Sequence, residues 1–146
     1  MALGIQLAVD NGATVLNLSL GGAGDSTVLD SIIQQAIALG IPVFAAAGNN
    51  TSSSATYPAA TTGVIAVTAL SQPGQLASYA NYGSYVDLAL SGTSIIYLNG
   101  VAYLVQGTSV STAYASGIAA GNKASTTFTW AQIVAAMQKK FAVPSK

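Results

Sequence analysis

The sequence has 146 residues, 51% of them hydrophobic and 5% charged, with four acids, four bases and a formal net charge of zero. That length fits one domain or part of one. Without a single His or Cys, zinc, haem and iron–sulfur sites lose their usual ligands and no imidazole base can come from within the chain; with no basic cluster larger than Lys139-Lys140, a phosphate-neutralising nucleic-acid surface is excluded.

The pattern alternates helix and strand. Ala2 to Asn11 reads as a helix closed by Gly12, with Leu3, Leu7 and Ile5 on its apolar side. Thr14 to Ser19 reads as a short strand that runs into Leu20-Gly21-Gly22. Ser26 is placed to cap a helix reaching Leu39, with Val28, Leu29, Ile32, Ile33, Ala36 and Ile37 inward and Gly40 as its stop. Pro42 to Ala47 and Val64 to Ala69 are apolar without alternation, which predicts strands buried on both faces. Tyr85 to Leu90 is a fourth strand.

Ser94 to Leu98 and Val101 to Val105 flank Asn99-Gly100, a two-residue hairpin signal. A small-residue helix starts near Thr108 and runs to about Ala120, and Trp130 to Phe141 is a final amphipathic helix. Strand–helix–strand order with two-sided apolar strands gives an α/β fold class with a mainly parallel sheet. No apolar run approaches the ~18 residues of a membrane span, and no basic segment precedes an apolar core as in a signal peptide. No membrane partner is expected, and zero net charge predicts weak colloidal repulsion between copies.

Three segments place glycine and small polar residues at expected element ends. Ser19-Leu20-Gly21-Gly22 follows the first strand and Ala45-Ala46-Ala47-Gly48-Asn49-Asn50 the second. These are carboxyl ends of strands, where open α/β sheets bind ligands. Gly107-Thr108-Ser109 opens the small-residue helix, where unpaired N–H groups favour developing negative charge. Ser109 there is either a nucleophile whose own N–H stabilises an oxyanion or an ordinary helix cap. Asn49 is either an uncharged oxyanion donor or a turn residue. Gly21-Gly22 either admits a peptide backbone or makes a tight turn.

Taken together, the three segments resemble the subtilisin-like serine peptidases (subtilases, peptidase family S8). Gly107-Thr108-Ser109-Val110-Ser111-Thr112-Ala113-Tyr114-Ala115-Ser116-Gly117 looks like that family's nucleophile segment, Ala45 to Asn49 like its oxyanion strand, and Asn17 to Gly22 like its substrate-binding strand end. Tyr57-Pro58-Ala59-Ala60, Ala77 to Gly83, the Asp87 strand and Trp130-Ala131-Gln132-Ile133 follow the same order. Ala113-Tyr114 stands where the family usually has Pro-His, and Ser91 where it has Pro.

The resemblance implies a three-layer subtilisin-like fold whose N-terminal part is missing, so that residues 1–146 are the C-terminal portion of a peptidase domain. It implies Ser109 as acyl-forming nucleophile and Asn49 as oxyanion donor. Ser19, Leu20 and Gly21 would pair with an extended peptide or protein substrate, and Ala46, Ala47 and Gly48 would line the side-chain pocket. Asp87, with the carbonyls of Ala59, Thr61 and Val64, resembles a weak cation site of the family; no metal or other cofactor is expected to take part. The family's Asp and His lie upstream of the matching segments, so the chain is expected to be inactive alone. Its sheet edge would then need a complementary N-terminal half or self-association. The family's members are mostly exported, so the chain would be secreted if it follows them; its own residues give no cellular address.

Two substitutes for the missing base have little support. Lys123 lies about four helical turns past Ser109. A serine-carboxyl peptidase needs a Glu, and the sequence has none. The alternative to an enzyme is a catalytically dead, peptidase-like module that binds extended peptides or serves in assembly.

Overall fold

The computed structural model describes residues 1–145. The elements run α1 (Ala2–Asp10), β1 (Leu16–Leu18), α2 (Thr27–Ala38), β2 (Val43–Ala46), β3 (Ile65–Gln72), β4 (Gln75–Leu76), β5 (Leu88–Ser91), β6 (Thr93–Leu98), β7 (Val101–Gln106), α3 (Thr108–Ser125) and α4 (Trp130–Lys140). β1, β2, β3 and β5 form a parallel sheet in that spatial order, with β4 antiparallel against the end of β3.

Helices cover both faces, and the pleat sorts the side chains between them. Leu16, Leu18, Val43, Ala45 and Ala66 pack with Ile5 of α1 and with Ile33 and Ala36 of α2. Phe44, Ile65, Val67, Leu88 and Leu90 pack with Ala115 and Ala119 of α3 and with Ile133 and Met137 of α4. β2 is buried at every position, as its unbroken apolar run predicts.

Local chemistry sets the element ends. The Ser26 hydroxyl accepts the N–H of Leu29 and caps α2. Thr129 and Gln132 form a reciprocal capping box on α4. Gly12 and Gly40 follow α1 and α2 with φ of +81° and +78°, the left-handed stop that glycine tolerates. Asn99 and Gly100 both take positive φ, as a type I′ hairpin turn requires.

Several expectations are corrected. In α1, Ile5 is buried while Leu3 and Leu7 are exposed, Leu3 at 71%; the inward stripe is Ile5, Ala8 and Val9. Val28 of α2 is 64% exposed. α3 extends past Ala120 to Ser125, because Gly121 sits inside a helix that Asn122-Lys123-Ala124 continues. β4 was not anticipated; a turn at Pro73-Gly74 folds two residues back onto β3.

Candidate active site

The carboxyl ends of β1 and β2 and the N-terminus of α3 meet at one cavity of about 460 Å³. Leu20, Gly21, Ala46, Gly48, Asn49 and Ser109 all line it. None of its lining side chains among the described residues is charged. Ser19 and Ala47 are not among the lining residues: Ser19 is half-buried and Ala47 is buried.

Ser109 is the second residue of α3, so its N–H is one of the four that a helix leaves without an internal partner. The Ser109 hydroxyl donates to the Ser19 carbonyl at 3.1 Å, and the Ser19 hydroxyl donates back to the Ser109 carbonyl at 2.9 Å. This reciprocal link fastens the β1 end to the helix start.

Asn49 is held from the other side. Its Oδ1 accepts the Thr108 N–H at 2.9 Å and the Thr108 hydroxyl at 3.0 Å. Two donors at Oδ1 fix the orientation of the amide, and Nδ2 donates to no protein group among the described residues. Thr108 also accepts the Gly48 N–H at 3.2 Å, so one buried hydroxyl joins both arms of the site. Gly107 caps α3 with φ +145°; a Cβ there would sit 3.2 Å from Asn49 Nδ2. Glycine therefore keeps open the space between Asn49 and Ser109.

Two candidate residues have other engagements. Ala47 is fully buried, and its carbonyl accepts from Thr56, Asn81 and Tyr85. Gly22 exchanges both backbone hydrogen bonds with Tyr57, at 2.9 and 2.7 Å. The close backbone approach that glycine allows is at Gly21, where a Cβ would lie 3.0 Å from the Tyr57 carbonyl oxygen, and both glycines line the cavity.

Asp87 lies away from this cavity. Its Oδ2 accepts the Ala66 N–H at 2.8 Å and its Oδ1 faces the Gln138 amide at 3.4 Å. Burial pushes its carboxyl above the ordinary value of 3.8, against the opposing pull of those two donors. Donors at both oxygens tie α4 to the sheet through Asp87. Among the described residues no group of three His, Cys, Asp or Glu is placed to hold a metal. Lys123 is in the last turn of α3, far along the helix from Ser109, and its amine donates to the Phe128 carbonyl. Tyr114 is part of an unbroken α3, its hydroxyl on Ser94, and Ser91 turns its hydroxyl to the Thr93 carbonyl.

Comparison with known proteins identifies the lineage of this arrangement. The subtilase family model (Peptidase S8) matches residues 1–143. The chain belongs to the subtilase family. It is 43% identical over 119 residues to a thermophilic serine proteinase of Bacillus sp. strain AK1, covering 80% of this chain and 29% of that protein. It is 42% identical over 123 residues to the subtilisin of Bacillus pumilus, covering 80% of this chain and 45% of that one. A crystal structure of a cold-adapted subtilisin-like serine proteinase superposes with a TM-score of 0.82 at 31% identity, covering 94% of this chain and 52% of its own. The fold is thus subtilisin-like, and the subtilase chain spans less than half the length of these two curated relatives. No helix among its described residues is long and apolar enough to cross a membrane.

Sequence reasoning gave no role to Asn81 or Thr56, which hold the loop after β2. The signal was weak. Asn81 stands between Ala80 and Tyr82 in a glycine-flanked stretch and reads as a turn residue, yet it is fully buried.

Proposed function

We propose that residues 1–146 are the C-terminal portion of a serine endopeptidase domain, carrying its nucleophile, oxyanion hole and peptide-binding strand ends. The observation that carries this reading is the convergence of Ser109 and Asn49 on one uncharged cavity, with the Asn49 amide oriented by Thr108. Ser109 Oγ attacks the scissile carbonyl and forms an acyl-enzyme. The Ser109 N–H and Asn49 Nδ2 receive the oxyanion, both donors neutral and fixed before the reaction. The substrate backbone lies extended between Ser19-Leu20-Gly21 and Ala46-Gly48, and its side chain enters the cavity.

The proton of Ser109 needs a base. Among the described residues its hydroxyl hydrogen-bonds only to the Ser19 carbonyl, which cannot take a proton, and the 146 residues contain no His. The base therefore comes from outside these residues. The edge of β1 supports the same reading: among the described residues β1 pairs with β2 on one side only, which leaves room for a further strand beside it. In subtilisin itself, loss of the triad leaves a rate about 10³–10⁴-fold over water. The isolated chain is expected to show no useful peptide hydrolysis.

The test uses a fluorophosphonate probe on the chain alone and on the chain joined to the upstream segments of a relative. Labelling of Ser109 is expected to be slow in the first and fast in the second, and absent in both for Ser109→Ala. Rapid labelling of the isolated chain overturns the missing base; no labelling in the joined protein overturns Ser109 as nucleophile. If extended peptides bind in both without turnover, the non-catalytic binding module is the better reading.

A further inference from the structure

Asn49 leaves β2 on a loop with no regular structure, yet an oxyanion donor must be held within about half an ångström. Asn81 supplies the restraint. Its Oδ1 accepts the N–H groups of Asn50 at 2.9 Å and Ser52 at 3.2 Å. Its Nδ2 donates to the Ala47 carbonyl at 2.8 Å, and its own N–H donates to the Gly48 carbonyl at 2.9 Å. These four bonds grip residues on both sides of Asn49 and leave Asn49 itself untouched.

The packing is equally close. Gly48 has φ +107°, and a Cβ on it would lie 2.5 Å from Asn81 Nδ2. Asn81 is fully buried, and a planar amide is the side chain that offers a double acceptor and a donor in one rigid group. Asp lacks the donor and Ser lacks the reach. Thr108 holds the tip of Asn49 from α3, so Asn81 and Thr108 clamp the loop and the side chain separately.

We infer that Asn81 is a positioning residue for the oxyanion donor: by fixing the backbone around Asn49 it aims the Asn49 amide at the charge that forms beside Ser109. The inference rests on the reading of Ser109 and Asn49 given under Proposed function.

The test follows acylation of Ser109 in the 146-residue chain by an activated p-nitrophenyl ester at alkaline pH, read by intact mass. Asn49→Ala is expected to slow acylation about 10²-fold, the scale of losing one oxyanion donor, and Asn81→Ala to slow it by a comparable factor. The double variant Asn49→Ala/Asn81→Ala is expected to be no slower than Asn49→Ala alone, because Asn81 then has nothing left to aim. A wild-type rate in Asn81→Ala, or equal slowing by Asn81→Ala in both backgrounds, overturns the inference.

A second readout is independent of Ser109 chemistry: the Asn49 side-chain amide signal in ¹H–¹⁵N spectra should move in Asn81→Ala while that of the remote Asn122 stays in place. If wild-type Ser109 is not acylated in the chain alone, the same variants are compared in the protein joined to the upstream segments of a relative, where no acylation of wild-type Ser109 overturns the catalytic reading; an unmoved Asn49 signal overturns the positioning role in either case. Should Asn81→Ala not fold, Asn81→Ser keeps a polar group in the buried site and serves in both measurements.

Discussion

β2 and β7 each lead into one half of the site, β2 into Gly48-Asn49 and β7 into Gly107-Ser109. Both are apolar, yet β2 is buried at all four positions while β7 is exposed at five of six. The difference lies in their neighbours. β2 has β1 and β3 on its edges and helices over both faces. Among the described residues β7 pairs only with β6, and one face of that hairpin, bearing Ser94, Ile96 and Val105, turns toward α3. Apolar composition thus makes a strand available for burial, and topology decides whether it is buried. The site joins the two regimes: Asn49 comes off the packed sheet, and Ser109 is held to it through Ser19 and Thr108.

The largest expected effect tests this contrast directly. Phe44 is fully buried at the centre of the sheet, and Tyr97, with a ring of the same size, is 75% exposed on the hairpin. Phe44→Ala is expected to cost about 3–5 kcal/mol through lost burial and a cavity. Tyr97→Ala is expected to stay within about 0.5 kcal/mol. Urea midpoints measure both, and similar losses would break the comparison.

Next in size is Gly48→Ala, at the end of the packed strand. Positive φ on a residue with a side chain and the clash with Asn81 together are expected to cost about 2–3 kcal/mol. Gly100→Ala on the hairpin also has positive φ but meets nothing within 4 Å, so its cost should be the smaller of the two in the same measurement.

Asp87 sharpens the contrast at the border of the packed region, where a carboxylate is half-buried. Burial raises its pKa above 3.8, so the folded state holds the proton more tightly than the unfolded chain. The stabilisation tied to that proton is present in full below about 3.8 and is lost as pH rises through the folded value. Asp87→Asn removes the buried charge. Its Tm is expected to exceed that of the wild type at pH 7, and the gap to close as pH falls toward 4. A variant less stable at both pH values would show that the bonds to Ala66 and Gln138 outweigh the burial.

These particulars also show what could be read from the chain. Caps, stops and the hairpin turn were legible at Ser26, Gly40 and Asn99-Gly100, because each rests on local backbone chemistry. The two-sided strands were legible from their unbroken apolar runs. The inward face of α1 was not: the helix is apolar nearly all round, so Leu3-Leu7 and Ile5-Ala8-Val9 are equally good stripes until α2 is in place. Ser109 and Asn49 could be named from their motifs, but their mutual placement is settled by Thr108, some 59 residues from Asn49 in sequence. Asn81 was hidden because its partners are backbone groups of another loop, which leave no trace in residue spacing.

The smallest expected effect on stability lies on the outer face of the hairpin. Ile95 and Leu104 stand directly opposite each other, 61% and 67% exposed. Ile95→Thr with Leu104→Thr places strand-compatible β-branched residues at both positions and removes little buried area, so the folding free energy should move by no more than about 0.5 kcal/mol. Association should respond much more. The hairpin carries no charged residue from Thr93 to Gln106, and the chain has no net charge to keep copies apart; an exposed apolar strand pair without a charged edge is the arrangement that recruits other chains. Sedimentation velocity across a concentration series should show the double variant staying monodisperse to higher concentration than the wild type. A fall in Tm without a change in association would instead mean that this face is packed in the folded chain, and the hairpin would join the buried side of the comparison.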